Sequence, residues 1–155
     1  MLNEDSENFV KVKFVEGDDV ETLWAVAVGN NLFRLDNSPF YAYQVSWQDI
    51  IEATELGDGF YNFVRVTEKS GNRTVRVIFL KFTGNDAKGK RILNDIKNLG
   101  CSYEGMNAKL ISINIPSDID FESVLNYIAE QSDVDWEYAD PSYKELFPEV
   151  DKSVN

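Results

Sequence analysis

The stretch RTVRVIFLKFTGNDAKGKRILNDIKNLG (Arg73–Gly100) decides the fold class, because it changes from strand periodicity to helix periodicity within a few residues. Its first part, RTVRVIFLKF (Arg73–Phe82), is rich in β-branched and aromatic residues and reads as a strand. TGND (Thr83–Asp86) breaks it. From Lys88 to Leu99 the apolar Ile92, Leu93, Ile96 and Leu99 recur at helical spacing on one face, and Gly100 stands where a left-handed cap belongs. Toward the C-terminus the alternation continues. CSYEGM and AKLISINIP read as two strands around a turn at Asn107, and Asp120 is placed to cap a helix whose Phe121, Val124, Leu125 and Ile128 share a face. VDWEYA (Val134–Ala139) then closes as a strand. The order β-α-β-β-α-β predicts a ferredoxin-like unit over residues 73–140.

Toward the N-terminus the pattern is all strand. FYNFVRVTE (Phe60–Glu68) precedes KSGN, which reads as a four-residue hairpin turn into the strand at Arg73. Further strands are predicted at DIIEAT (Asp49–Thr54), LFRL (Leu32–Leu35), TLWAVAV (Thr22–Val28) and FVKVKFV (Phe9–Val15), the last with period-two alternation. The expected protein is therefore α+β. A disordered start (1–8) leads into a β-rich unit (9–82), a barrel-like or curled antiparallel sheet; it shares the strand 73–82 with the ferredoxin-like unit (73–140), and an acidic tail (141–155) follows.

Charge is the strongest global feature: 27 acids against 15 bases give a net charge of −12. The distribution is uneven. Residues 1–21 carry seven acids and two bases, residues 22–116 nine and eleven, and residues 117–155 eleven and two. Phosphate contacts need Lys and Arg, so this balance argues against a nucleic-acid partner. No long apolar run suggests a membrane span and no leader suggests export, and the single cysteine, Cys101, cannot form an internal disulfide. A cytoplasmic protein is expected.

Catalytic chemistry finds little footing. The chain has no histidine, so the commonest general base is missing and the usual Cys/His zinc sites cannot be built. Cys101 opens a predicted strand and reads as a small core residue. GNDAKGK (Gly84–Lys90) lacks the spacing and terminal Ser or Thr of a phosphate loop. No cofactor or metal is expected. Arg65, Lys69, Arg73, Arg76 and Lys81 cluster on the predicted hairpin near Tyr61 and Phe63, as in some RNA-binding sheets, but pairing with the acidic end of the chain accounts for them better.

FRLDNSPFYAY (Phe33–Tyr43) packs charges and aromatics around Asn37-Ser38-Pro39, and its turn chemistry reads as a structural corner in which Arg34 pairs Asp36 or the turn carbonyls. Together, LWA (Leu23–Ala25), FRLDNSPFYA (Phe33–Ala42), SGNRTVRV (Ser70–Val77) and LGCSYEGM (Leu99–Met106) resemble the bacterial family domain of unknown function 4265, from about Phe9 to Tyr138. Members with this pattern often carry a histidine where this chain has Asn72. The resemblance implies a bacterial cytoplasmic protein with this domain layout and brings no activity with it.

The expected function is non-catalytic protein interaction, most concretely that of an immunity protein or antitoxin that neutralises a basic, nuclease-like toxin domain by charge complementarity. A domain binding a small regulatory ligand between the two units is the alternative. In SDVDWEYAD, strand alternation sends Val134, Trp136 and Tyr138 to one face and Asp133, Asp135 and Glu137 to the other. That acidic row, with Asp140, Glu145 and the aromatic Tyr143 on the following segment, is the predicted partner surface.

Overall fold

The computed structural model describes residues 9–148. The predicted start (1–8) and the end of the predicted tail (149–155) lie outside them. Five strands, β1 (Phe9–Glu16), β2 (Asp19–Gly29), β3 (Leu32–Leu35), β4 (Ile50–Gly57) and β5 (Phe60–Glu68), form a closed barrel in sequence order. Neighbours pair antiparallel. Closure comes from a short parallel pairing of β1 with β5, Lys11 to Phe60 through Lys13 to Asn62. Alternate residues face inward, and Val12, Phe14, Leu23, Ala25, Phe33, Leu35, Ile51 and Ala53 fill the interior. The β2–β3 turn needs a left-handed residue, which Asn31 supplies with φ 60°. Three register shifts between β4 and β5 add the local twist and bending that β-bulges confer.

The second unit runs β6 (Arg73–Phe79), α1 (Ala87–Asn98), β7 (Ser102–Gly105), β8 (Leu110–Ile115), α2 (Phe121–Ala129), β9 (Val134–Asp140) and the single turn α3 (Tyr143–Leu146). The strands form one antiparallel sheet in the order β7-β8-β6-β9, so each helical connection steps over one strand. One face carries Val75, Val77, Phe79, Ile111, Ile113 and Ile115, packed on Ile92, Leu93 and Ile96 of α1 and Val124, Leu125 and Ile128 of α2. The helix signals act as expected. Gly100 takes φ 102° just after α1, where a Cβ would lie 2.5 Å from Ile119 Cδ1, and the Asp120 carboxylate accepts the Ser123 N–H at 3.0 Å.

Two expectations are corrected. KSGN is not a hairpin turn and β6 is not shared between the units: β6 pairs only with β8 and β9. The reason is closure. β5 already has β4 on one edge and β1 on the other, so it has no edge left for β6. The strand also ends at Phe79, short of the predicted Phe82, while the strand expected at Asp49–Thr54 runs Ile50–Gly57.

Candidate functional site

The face of the second sheet turned away from the helices is polar yet buried. Thr74, Arg76, Ser112, Asn114 and Asp140 lie on it, each no more than 6% exposed. What covers them is the segment between β3 and β4, residues 36–49, which contains the corner. The ends of this segment bond to backbone carbonyls, but its corner, residues 37–43, has no backbone partner among the described residues, so side chains satisfy it. The Glu21 carboxylate accepts the N–H groups of Phe40, Tyr41 and Ala42 at 2.9–3.0 Å, and Glu104 accepts that of Ser38 at 2.8 Å. From the sheet side, Ser112 donates to the Pro39 carbonyl, and Arg76 donates to the carbonyls of Pro39, Tyr41 and Ala42. Arg76 is the arginine that binds the turn; Arg34 is exposed on β3. Glu21→Ala is expected to lower stability by about 2 kcal/mol, since three N–H groups lose one charged acceptor. Urea midpoints of the two proteins measure it.

Behind the corner a second network joins the units. Lys69 Nζ lies 2.6 Å from Asp49 of the barrel side and 2.6 Å from Asp140 of the sheet side, and also donates to the Gln44 carbonyl. Ser46 donates to Asp140 at 2.6 Å and shares a 2.6 Å hydrogen bond with Thr74; with its proton on Asp140, it accepts from the Thr74 hydroxyl. A serine near a lysine suggests nucleophilic catalysis, but the electrostatics oppose it. Burial alone would lower the Lys69 pKa, whereas the hydrogen bonds and charges of Asp140 and Asp49 outweigh burial and raise it. A lysine held protonated is no general base. The Cys101 thiol, pushed up to about 11 by burial against a smaller lowering by Arg73, is no better a nucleophile. This network is a latch.

Beside the latch lies an open groove of ≈ 850 Å³. Glu16, Tyr43 and Gln44 line it from the barrel side, Trp136, Glu137 and Tyr138 from β9, and Ser142, Tyr143 and Lys144 from the segment that turns back after it. Its aromatic character is continuous. The rings of Trp136 and Tyr138 are 5.0 Å apart, Tyr138 and Tyr143 6.2 Å, and Tyr143 and Phe147 4.8 Å. The Arg76 guanidinium stacks 4.7 Å from the Tyr43 ring centroid while its Nε donates to Glu137 at 2.8 Å. Burial, chiefly, and then Glu137 raise the Tyr43 pKa, so the phenol keeps the proton it donates to Glu137 Oε1 at 2.6 Å.

The structure separates the six residues of the predicted surface. Asp135 is exposed on β9 and has no ion pair among the described residues. Glu137 lines the groove but holds Arg76 and Tyr43. Asp133 lies within 3.7–3.9 Å of Lys81 and Lys88. Asp140 is not on the surface: it is buried in the latch, with its pKa raised mainly by that burial. Glu145 is spent in a capping box, accepting the Ser142 N–H at 2.7 Å. Tyr143 is 49% exposed at the groove wall, as an anchor would be. The basic cluster pairs largely with this acidic end, through Lys69, Arg76 and Lys81, while Arg65 pairs Glu52 and Arg73 binds the carbonyls of Pro116 and Ile119. Sequence reasoning missed Tyr43, Glu16 and the groove-lining role of Trp136 and Tyr138. The aromatic density of WEYADPSYKELF (Trp136–Phe147) was the available signal.

A family model, Domain of unknown function (DUF4265), matches residues 21–138. Among solved structures, the chain is similar to one titled "Novel crystal structure of a hypothetical protein from Neisseria gonorrhoeae", with 18% identity, a TM-score of 0.67, and coverage of 88% of this chain and 96% of that one. That likeness is one of fold. No curated protein matches the chain.

Proposed function

Since the chain belongs to the family Domain of unknown function (DUF4265), whose title names no activity, we propose a function from its own geometry: it is a non-catalytic protein-interaction module of the bacterial cytoplasm. In its most concrete form it is an immunity protein or antitoxin that captures a basic, nuclease-like toxin domain. The observation that carries this reading is an open aromatic groove, with Asp135, exposed and without an ion pair among the described residues, on the strand that lines it, at the acidic end of a chain of net charge −12. Aromatic rings anchor interfaces, and surrounding charge steers a basic partner toward them. The second unit is read as ferredoxin-like, which its β-α-β-β-α-β order and the strand order β7-β8-β6-β9 support.

Coexpression with a panel of basic nuclease toxin domains tests the function directly. Growth is expected to be rescued for one class of toxin, and capture of that toxin on the tagged protein to weaken as salt rises. Failure to rescue or bind any basic toxin counts against the immunity reading. Asp135→Lys is the charge test the structure leaves open, because Glu137→Lys would set an ammonium against buried Arg76. It is expected to change stability by less than about 0.5 kcal/mol, an exposed substitution away from special features. Association with the captured toxin should slow several-fold at low salt and recover its wild-type rate at high salt. Stopped-flow traces that coincide at every salt concentration would confine the charge to solubility. A small-ligand regulatory site is the second reading, favoured by the groove volume of ≈ 850 Å³ between the two units.

A further inference from the structure

β9 is the outermost strand of its sheet, and the backbone from Val134 to Tyr138 hydrogen-bonds to β6 and to no other described residue. Half of the N–H and C=O groups of such a strand point away from the sheet, where a further strand could take them. The groove runs along that open edge. Side chains from both faces of β9 line it, Trp136 and Tyr138 from the helix side and Glu137 from the barrel side, and a cavity bounded by both faces of one strand has to pass its edge. Farther along, the edge is already in use: Ala139 bridges to Ser142 and its carbonyl accepts the Gln44 N–H at 2.8 Å. The free length is therefore bounded at one end, which would set the register of an added segment.

The chemistry of the walls selects what could lie there. Glu16 and Glu137 are the carboxylates of the lining and Lys144 its amine, with Arg76 behind Glu137. Asp135 stands just outside. The 39 residues from 117 onward, which include β9 and the groove's far wall, carry eleven acids and two bases. The ring faces of this site already accept a cation, since Arg76 stacks on Tyr43. Exposed Tyr143 offers another face at the opposite wall.

We propose that the groove takes an extended segment of a protein partner that carries Lys or Arg, added antiparallel or parallel to the outer edge of β9 as a fifth strand, with a basic side chain laid on the Tyr143 face. This rests on the reading of the protein as a module for a basic partner, and it names how that partner is held. Main-chain hydrogen bonds supply the binding, and the aromatic walls, with Glu16 in the lining and Asp135 beside it, supply the preference.

Three synthetic ten-residue peptides test it against the full chain: one alternating Lys with Val and Thr, the same peptide N-methylated at every residue, and one with Glu for Lys. N-methylation at every residue removes the donors of both edges, whichever way the segment runs, and keeps the charge. The basic peptide is expected to bind and to slow amide exchange at residues 134–138 at least tenfold, while the N-methylated and acidic peptides bind at least tenfold more weakly. Tyr143→Ala, with its melting temperature checked, should weaken the basic peptide about tenfold. Equal binding of the N-methylated peptide, protection elsewhere, or no binding of the basic peptide would each overturn strand addition at β9. The two readings fail separately. If a toxin is neutralised as well by Tyr143→Ala as by the wild type, the partner stands and the groove assignment falls. If the peptide adds to β9 but no toxin is neutralised, the groove stands and the immunity reading falls.

Discussion

Arg76→Met is expected to destabilise the protein by about 3–5 kcal/mol, the range for breaking a buried charged network by removing one member. For a chain of this size that corresponds to a melting temperature lower by on the order of 10 °C. Arg76 is 1% exposed and, among the described residues, is the only charged side chain of the largest fully buried ones. Its guanidinium reaches three carbonyls of the corner and the Glu137 carboxylate, and methionine would fill its stem but leave the Tyr41 and Ala42 carbonyls without their donor. The Pro39 carbonyl keeps Ser112. Arg76→Lys should recover less than half of the loss, because one ammonium cannot reproduce a planar fork that serves four acceptors. Thermal and urea unfolding of the three proteins measure this, and a loss below about 1 kcal/mol, the level of an ordinary surface change, would mean the corner stands without the arginine.

Lys69→Met is expected to cost about 3 kcal/mol at neutral pH, somewhat below the usual cost of stranding buried carboxylates because Lys69 is itself partly exposed. Asp49 keeps the N–H groups of Ser46 and Ser70, and Asp140 keeps the Ser46 hydroxyl. The dependence on pH identifies the cause. In the folded variant the Asp140 pKa, already raised by burial, rises further, so the folded state holds its proton more tightly than the unfolded state does. The variant's stability is then lost as pH rises above the ordinary carboxyl value of 3.8, and its deficit against the wild type narrows as pH falls toward that value. In the wild type the raised pKa of Lys69 has the complementary effect: its contribution is complete below 10.5 and is lost as pH rises beyond it. A deficit equal at pH 4 and pH 7 would show that Lys69 acts through packing.

Much of the architecture was legible because it is written in periodicity. The helix signals around Ile92–Gly100 and Asp120–Ile128 rest on local contacts a few residues apart, as does the Asn107 turn, whose Oδ1 accepts the N–H groups of Lys109 and Leu110 at 2.8 Å. The candidate site was less legible. The acidic row of β9 was visible as alternation, but that Glu137 is held by Arg76 and that Asp140 is buried with Lys69 depends on partners 61 and 71 residues away.

The alternation of RTVRVIF and LISINI determined, by itself, a sheet with one apolar face for the helices, and the composition determined a net charge of −12 concentrated at the two ends of the chain. Only the tertiary structure decided what meets the other face. The corner Asn37–Tyr43 has a backbone that needs partners and no ladder to provide them, and Arg76, Ser112, Glu21 and Glu104 become those partners because closure of the barrel sends β6 into a second sheet against it. Turn chemistry specifies a bend within a few residues. Which distant donors and acceptors satisfy that bend is settled by strand pairing across the chain, and so is the groove left open beside it.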